Sequence, residues 1–204
     1  HSFPTRRSSD LIFINPGHAD GGKPDPGAVN PNFHGYRLCE YDLARKIGDA
    51  AAGYLRAVGE EVRVLQSHNL LGECPAYPCV VDVANTWGAD LFLSIHINAG
   101  GGRGCETFCY RANSSGMEFA RAIQNELHRT LYILDKGFQY RGVFTRPTLA
   151  VLRGTAMPAA LVEVGFIDSD DAFLLLRNLN DISRAIARGV TDYQCLTTRG
   201  ENRA

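Results

Sequence analysis

The sequence lacks long apolar runs, and neither sign of charge is in excess. No apolar run in its 204 residues approaches the roughly 20 needed to span a bilayer, so we expect no membrane insertion. The 21 Lys and Arg residues nearly balance the 22 Asp and Glu residues, and 21 − 22 leaves a formal net charge of −1. Because a nucleic-acid-binding domain carries a basic patch or stripe, this balance argues against a nucleic-acid partner.

The sequence also lacks the C-x-x-C pairs of zinc ribbons, although it has six cysteines. Cys74 and Cys79 flank a Pro-rich loop, where two alternatives are open. They form a small disulfide if the protein works outside the cell, or they pack as small reduced hydrophobic side chains. A chain of this length buries about 70% of its unfolded surface without such staples. We therefore expect any bound metal to serve chemistry.

The two ends of the chain differ in composition from the part between them. Residues 1–10 are polar, lack the apolar h-region of a signal peptide, and do not match the apolar segment that follows. We interpret them as a non-native leader that replaced the native start, so the lack of an export signal carries little weight. Residues 197–204 form a polar tail that we expect to fray. A single globular domain is then expected at residues 11–196.

Short apolar runs alternate with longer segments of helical periodicity. This pattern predicts a single α/β domain with a twisted, mostly parallel or mixed sheet of about six strands and helices on both faces. The predicted strands are residues 11–15, 61–66, 89–98, 106–110, 149–152 and 160–166. The predicted helices are residues 36–58, 80–87 and 116–131, with one or two more within 172–193.

Three ionisable residues lie at or beside the ends of these elements, where ligands gather in open α/β sheets. His18 follows the first strand, His96 lies near the end of the most apolar strand, and Glu40 lies in the first turns of the first helix. Two histidines and one carboxylate from separate elements match the ligand set of a catalytic zinc with a fourth position left for water. Each residue has an ordinary alternative: a hydrogen-bonded core histidine, a helix N-terminal carboxylate, or a loop residue.

A fourth residue, Glu163, interrupts the otherwise apolar strand at 160–166. Because burying an unpaired carboxylate is costly, it should be paired, protonated or facing a cleft. One interpretation is a salt bridge to Arg141 or Arg153. The other is a general base beside a metal-bound water.

Taken together, these motifs resemble the zinc-dependent N-acetylmuramoyl-L-alanine amidases (amidase type 3), which cut the stem peptide from peptidoglycan. The resemblance runs from residue 12 to 193 and rests on Asn-Pro-Gly-His at 15–18, Glu40, Ser-Ile-His-Ile-Asn at 94–98 and Leu-Val-Glu-Val-Gly-Phe-Ile at 161–167. It implies that His18, Glu40 and His96 bind one zinc ion (Zn2+) per chain. It also implies that Glu163 is the catalytic carboxylate. Asn98 is a weaker candidate for substrate binding, and we favour the alternative that it holds the turn after its strand.

The resemblance implies hydrolysis of the amide bond between N-acetylmuramic acid and L-alanine, with peptidoglycan as the partner and an extracellular, periplasmic or cell-wall location. Two alternatives are another zinc peptidase acting within the stem peptide and a non-catalytic wall-binding module. Amidases of cell division carry an extra helical segment between the third and fourth motifs that covers the zinc, and this chain has no room for one. We therefore expect an open site, no activator protein and a monomer. His34, His68 and His128 lie outside the motifs, and we expect them at the surface.

Overall fold

The computed structural model describes the backbone of residues 9–201 and the side chains as far as residue 197. The strands are β1 (Leu11–Pro16), β2 (Val29–Phe33), β3 (Tyr36–Cys39), β4 (Glu61–Val64), β5 (Leu91–Asn98), β6 (Cys105–Cys109), β7 (Tyr140–Thr145) and β8 (Ala159–Phe166). The helices are α1 (Glu40–Ala57), α2 (Val80–Trp87), α3 (Ser115–Leu134), α4 (Ala150–Gly154), α5 (Asp171–Arg177) and α6 (Leu179–Glu201). Residues 1–8 of the predicted leader and residues 202–204 of the predicted tail lie outside the described residues. The first part of that tail, residues 197–201, continues the backbone of α6.

A sheet of six strands in the order β4-β1-β5-β8-β6-β7 forms the centre of the domain, and β2 and β3 pair separately. Strands β4, β1, β5 and β8 are mutually parallel, whereas β6 is antiparallel to β8 and parallel to β7. The predicted α/β sheet of about six mostly parallel strands is therefore confirmed. Because parallel strands end at the same edge, the carboxyl ends of β1, β5 and β8 meet there, which is where ligands gather in such sheets.

The two faces of the sheet bury different side chains because neighbouring residues in a strand point to opposite sides. Ile12 and Ile14 of β1 belong to the core under α1, α3 and α6. Phe13 belongs to the core under α2 and α4, where its ring stacks on Phe92 of β5 at 5.5 Å between centroids. Helices cover both faces, as predicted. The α2/α4 face has the smaller cover, since these helices have only 8 and 5 residues.

Two predicted elements differ from the structure, and two strands have no predicted counterpart. The helix predicted over residues 36–58 begins only at Glu40, because residues 36–39 form β3 and pair with β2. The strand predicted over residues 149–152 is wrong, because Ala150–Gly154 form α4. A short apolar run does not by its pattern separate a buried strand from a buried helical turn. Strands β2 and β7 were not predicted from periodicity.

Cys74 and Cys79 are both free thiols in this structure, which corresponds to the reduced alternative. The Cys79 thiol donates a hydrogen bond to the carbonyl oxygen of Leu70 at 3.3 Å. The Pro-rich loop is thus held by a hydrogen bond from one of the two thiols.

Candidate active site

His18 stands directly after β1 in a backbone conformation that few non-glycine residues adopt, with a φ angle of 69°. The preceding Gly17 leaves room for His96, since a Cβ at Gly17 would lie 2.3 Å from Cε1 of the His96 ring. The turn thereby brings the two imidazole rings to a centroid separation of 5.0 Å. Backbone strain of this kind persists where the surrounding structure enforces it, and it clusters at functional sites.

Asp25, in the loop that follows, orients the His18 ring. The Nδ1 of His18 donates to Oδ2 of Asp25 at 2.8 Å, and the amide of Gly27 donates to Oδ1 of Asp25 at 3.0 Å. With Nδ1 engaged, Nε2 of His18 faces Oε2 of Glu40 at 2.9 Å. A carboxylate on the far nitrogen of a ligating histidine sets its tautomer and raises its basicity. Asp25 was missed from the sequence because an aspartate in a Gly- and Pro-rich loop is an ordinary turn residue.

Glu40 is the first residue of α1 and has only 4% of its surface exposed. Its Oε2 accepts from the amide of Ala28 at 2.7 Å, and its Oε1 accepts from the amide of Ile97 at 2.9 Å. Burial by itself would raise the pKa of Glu40, but the hydrogen bonds and charges of His18 and His96 hold that pKa well below its usual range. Glu40 is therefore an ionised carboxylate with both oxygens fixed in position.

His96 completes the cluster, with its Nδ1 3.0 Å from Oε1 of Glu40. One ligand atom from each of His18, Glu40 and His96 lies within 4.8 Å of the others, so these three residues could hold a metal ion. Two imidazole nitrogens and a carboxylate oxygen are the donor set of a catalytic zinc with one position open. The backbone is shaped around this set, because a Cβ at Gly27 would lie 2.6 Å from Oε2 of Glu40.

The cluster binds a proton when it holds no cation. Burial lowers the pKa of His18, but hydrogen bonds and charges from Glu40 and then Asp25 outweigh it and raise the pKa to about 9. Because a ligating imidazole must be neutral, a metal ion and this proton compete for the same ring.

Glu163 lies beside the cluster because of strand register. It is the partner of His96 on one side and of Glu106 on the other. Since side chains alternate along a strand, Glu163 and Glu106 share the sheet face of Leu161 and Phe108, which pack in the α2/α4 core. His96, Glu163 and Glu106 thus form a row across three strands at the carboxyl edge.

The carboxyl group of Glu163 has no salt bridge among the described residues. Arg141 pairs instead with Glu106, with Nε 3.1 Å from Oε2, and Arg153 forms no ion pair within residues 9–197, so the structural salt bridge considered for Glu163 is not formed. The Oε2 of Glu163 is buried and has no hydrogen-bond partner in the described part of the chain. Burial raises the pKa of Glu163 to about 7, opposed by His96 and reinforced by Glu40 and Glu106.

Asn98 ends β5 and makes both of its side-chain contacts within the protein. Its Oδ1 accepts from the amide of Ala99 at 2.8 Å, and its Nδ2 donates to Oε1 of Glu106 at 2.8 Å. These contacts favour the role of holding the turn over the role of binding substrate. Glu106 was missed as a site residue, because one acidic residue in a short strand resembles any solvated strand position.

A cavity of about 150 Å³ opens beside the rings of His18 and His96. Its other walls include His68, Leu70 and the first residues of α4. The side chains of His18 and His96 are 20% and 19% exposed, so the cluster is open to solvent through this cleft. A small acyl or peptide group can therefore approach the cluster.

The three histidines outside the motifs differ in exposure. His34 is exposed as expected, whereas His128 and His68 are half-buried. His68 packs its ring against Tyr77 at 4.1 Å between centroids and lines the cavity. No local pattern marks it, because the loop that carries it reaches the site only through the fold.

Comparison with known proteins gives one consistent result. The profile of amidase type 3, described as N-acetylmuramoyl-L-alanine amidase, matches residues 12–192. The chain is 38% identical over 178 residues to the N-acetylmuramoyl-L-alanine amidase CwlM of Bacillus licheniformis, covering 87% of this chain and 64% of that protein. It is 35% identical over 182 residues to the sporulation-specific N-acetylmuramoyl-L-alanine amidase of Bacillus subtilis, again covering 87% of this chain and 64% of that protein. The chain thus spans somewhat less than two thirds of the length of these curated relatives.

Among solved structures, the N-acetylmuramoyl-L-alanine amidase AmiC2 of Nostoc punctiforme is similar, with a TM-score of 0.71 and 29% identity. The similarity covers 90% of this chain and 96% of that chain, so the whole domain takes part in it. The family profile, the relatives and the fold agree over the segment that contains His18, Glu40, His96 and Glu163. This chain belongs to the N-acetylmuramoyl-L-alanine amidase family.

Proposed function

We propose that this chain hydrolyses the amide bond between N-acetylmuramic acid and L-alanine of the peptidoglycan stem peptide. In this proposal His18, Glu40 and His96 hold one zinc ion, and Glu163 is the catalytic carboxylate. The observation that carries the proposal is the position of Glu163, whose buried Oε2 has no partner among the described residues, next to a three-ligand cluster at one sheet edge. Membership of the amidase family supports the choice of substrate.

The reaction needs a strong nucleophile and a proton donor, because an amide is a poor electrophile and an amine is a poor leaving group. Zinc bound at this cluster would lower the pKa of a water molecule toward about 7 and polarise the amide carbonyl. Glu163 accepts a proton from the attacking water as the water oxygen bonds to the carbonyl carbon. The carbon–nitrogen bond then breaks as Glu163 gives a proton to the L-alanine nitrogen. Proton transfer of this kind typically contributes about 10²–10⁴-fold.

The two alternative functions differ from this proposal in what they require. A wall-binding module has no use for a buried carboxyl oxygen that lacks a hydrogen-bond partner in the described structure, as Oε2 of Glu163 does, because such an oxygen costs folding free energy. A peptidase acting within the stem peptide uses the same residues and differs only in the bond that is cut. The nature of the new amino group therefore separates all three.

Product analysis of purified peptidoglycan treated with the zinc-loaded protein tests the proposal. We expect new free L-alanine amino groups, an intact muramyl glycan and about one zinc ion per chain. A new amino group on another stem residue would establish the peptidase. Retention on the wall with no new amino group, in a preparation with zinc bound, would establish the binding module.

We further infer that the site works without an activator protein. The segment between β6 and β7 consists of a short turn and one helix, α3, and both histidine rings of the cluster reach solvent. The zinc-loaded protein alone should therefore cleave peptidoglycan. A protein that stays inert until a partner is added would contradict this inference.

No helix in the described part of the chain is long and apolar enough to cross a membrane. Because the proposed substrate lies outside the cytoplasm, we propose an extracellular, periplasmic or cell-wall location. We also propose a monomer, which light scattering of the purified protein would detect as the mass of one chain.

A further inference from the structure

Arg141 occupies an irregular position in the edge strand β7. Cys105 pairs with Tyr140 and the next residue, Glu106, pairs with Gly142, so Arg141 is the extra residue of a β-bulge. A bulge bends its strand and redirects a side chain, and bulges are frequent next to active sites. Arg141 is thereby free of the regular alternation along β7.

The redirected side chain lies over the active-site edge of the sheet. The Cζ of Arg141 is 5.0 Å from the centroid of the Phe166 ring, and Phe166 ends β8 three residues after Glu163. The Nε of Arg141 donates to Oε2 of Glu106 at 3.1 Å. The other oxygen of Glu106, Oε1, accepts from Asn98, so the carboxylate that holds Arg141 is itself fixed. The guanidinium is therefore held in one place by an aromatic face and a carboxylate.

Most of the donors of this guanidinium are still available. Its two terminal nitrogens have no hydrogen-bond partner among the described residues, and the side chain is 35% exposed. A guanidinium carries five N–H donors in a planar fork that matches a carboxylate in two parallel hydrogen bonds. A guanidinium whose Nε is bound to Glu106 and whose two terminal nitrogens are available suits the binding of a second, incoming carboxylate.

The spacing of the strands decides which part of a substrate can reach Arg141. Glu106 is one strand away from Glu163, about 5 Å, and Arg141, which binds Glu106, belongs to β7, the strand beyond β6. An extended peptide advances about 3.3–3.6 Å per residue. A peptide that leaves Glu163 in the direction of β7 therefore brings its second residue to Arg141.

We propose that Arg141 recognises a free carboxylate on the second residue of the stem peptide, on the leaving-amine side of the scissile bond. This inference rests on the proposed function, because it takes Glu163 as the point where the amide is cut. Arg141 acts in it as a specificity-determining residue, and Glu106, Asn98 and Phe166 position it.

The test uses two soluble disaccharide–tripeptide fragments of peptidoglycan that differ only at the second residue, which carries a free carboxylate in one and a carboxamide in the other. We expect the zinc-loaded protein to prefer the carboxylate fragment by roughly 10-fold in kcat/KM, the ratio expected for a hydrogen bond to a charged group. Arg141→Gln should remove this preference, mainly through a higher KM for the carboxylate fragment. Arg141→Lys should keep part of it, because the charge stays while the fork is lost.

Arg63 offers a matched control, since its Cζ also lies over an aromatic ring, 4.8 Å from the centroid of Trp87. It belongs to β4, at the opposite edge of the sheet from β7. Arg63→Gln should leave the preference unchanged. Equal loss of kcat on both fragments in Arg141→Gln would overturn the inference, because it would show that Arg141 only supports Glu106 and Glu163. A wild-type protein without any preference would overturn it as well.

Binding of both fragments to Glu163→Gln, measured by calorimetry, separates failure of this inference from failure of the proposed function. If the wild type cleaves neither fragment but Glu163→Gln binds the carboxylate fragment more tightly, and Arg141→Gln removes that preference, the proposed function fails and the recognition stands. If both fragments are cleaved and bound alike, the proposed function stands and the recognition fails. If neither fragment binds, the inference is overturned.

Discussion

Glu40 and Glu163 lie at the same sheet edge, yet their surroundings shift the pKa of the carboxyl group in opposite directions. Around Glu40, two backbone amides and two histidines bind both oxygens, and the pKa is held low. Around Glu163, one oxygen is buried without a partner in the described part of the chain, and burial raises the pKa to about 7. The first region fixes a charge, whereas the second keeps a group that gains and loses a proton near neutral pH.

The difference explains why one region suits a metal and the other suits proton transfer. A ligand must be ionised and immobile before the metal arrives. His18 and His96 hold the pKa of Glu40 low, and the amides of Ala28 and Ile97 fix its two oxygens. A general base works best when its pKa is close to the operating pH, which burial ensures for Glu163. Two variants and a change of pH test this division.

Glu163→Gln should lower kcat by about 10²–10⁴-fold, since the amide of glutamine cannot accept and return a proton. The variant should still bind about one zinc ion per chain, because Glu163 is not in the ligand cluster. Glu118→Gln changes an exposed glutamate of α3 and should leave kcat unchanged. Near-wild-type activity of Glu163→Gln would refute the assignment of the general base, and loss of zinc would show that the two regions are not separate.

Asp25→Asn should weaken zinc binding by about 10–100-fold, the usual cost of removing the group that orients a ligating histidine. Asparagine keeps the shape of the side chain but loses the charge that faces Nδ1 of His18. Competition with a chelating dye measures the affinity. The control is Asp20→Asn, because Asp20 is exposed and lies 3.7 Å from Arg45 rather than at the cluster. An equal loss in both variants would mean that overall charge, and not orientation, sets the affinity.

Zinc should raise the melting temperature more at high pH than at low pH. Without zinc, protonated His18 contributes stability that is fully present below pH 6.5 and is lost as pH rises through about 9. Zinc requires the neutral ring, so its affinity falls up to tenfold, about 1.4 kcal/mol, for each pH unit below 9. Calorimetry measures the rise in melting temperature that zinc causes. This rise should be several degrees larger near pH 9 than near pH 6.5. A shift that does not change with pH would contradict the raised pKa, and Asp25→Asn should flatten the dependence.

The elements that carry the four motif residues were predictable because their local patterns are strong. Strands β1, β5 and β8 are nearly continuous apolar runs, and Glu163 is conspicuous because a carboxylate in such a run needs an explanation. The failures lie where the pattern is short or exposed. Residues 36–39 have the spacing of the following helix but pair as β3, and residues 149–152 are apolar like a strand but form α4. Edge strand β7 is mostly exposed and contains Gly142, so apolar and polar residues do not alternate regularly along it.

Hydrophobic periodicity was enough to predict the α/β class, and the cost of burying a charge marked Glu163 as a candidate. The resemblance of the motifs to a known family then assigned the ligand and base roles. The groups that surround these residues became known only from the fold. The loop path brings Asp25 to His18, and strand register places Glu106, which pairs with Arg141, beside Glu163. These contacts join residues far apart in the chain. Their geometry depends on strand register and on the path of the loops, which local hydrophobic periodicity does not predict.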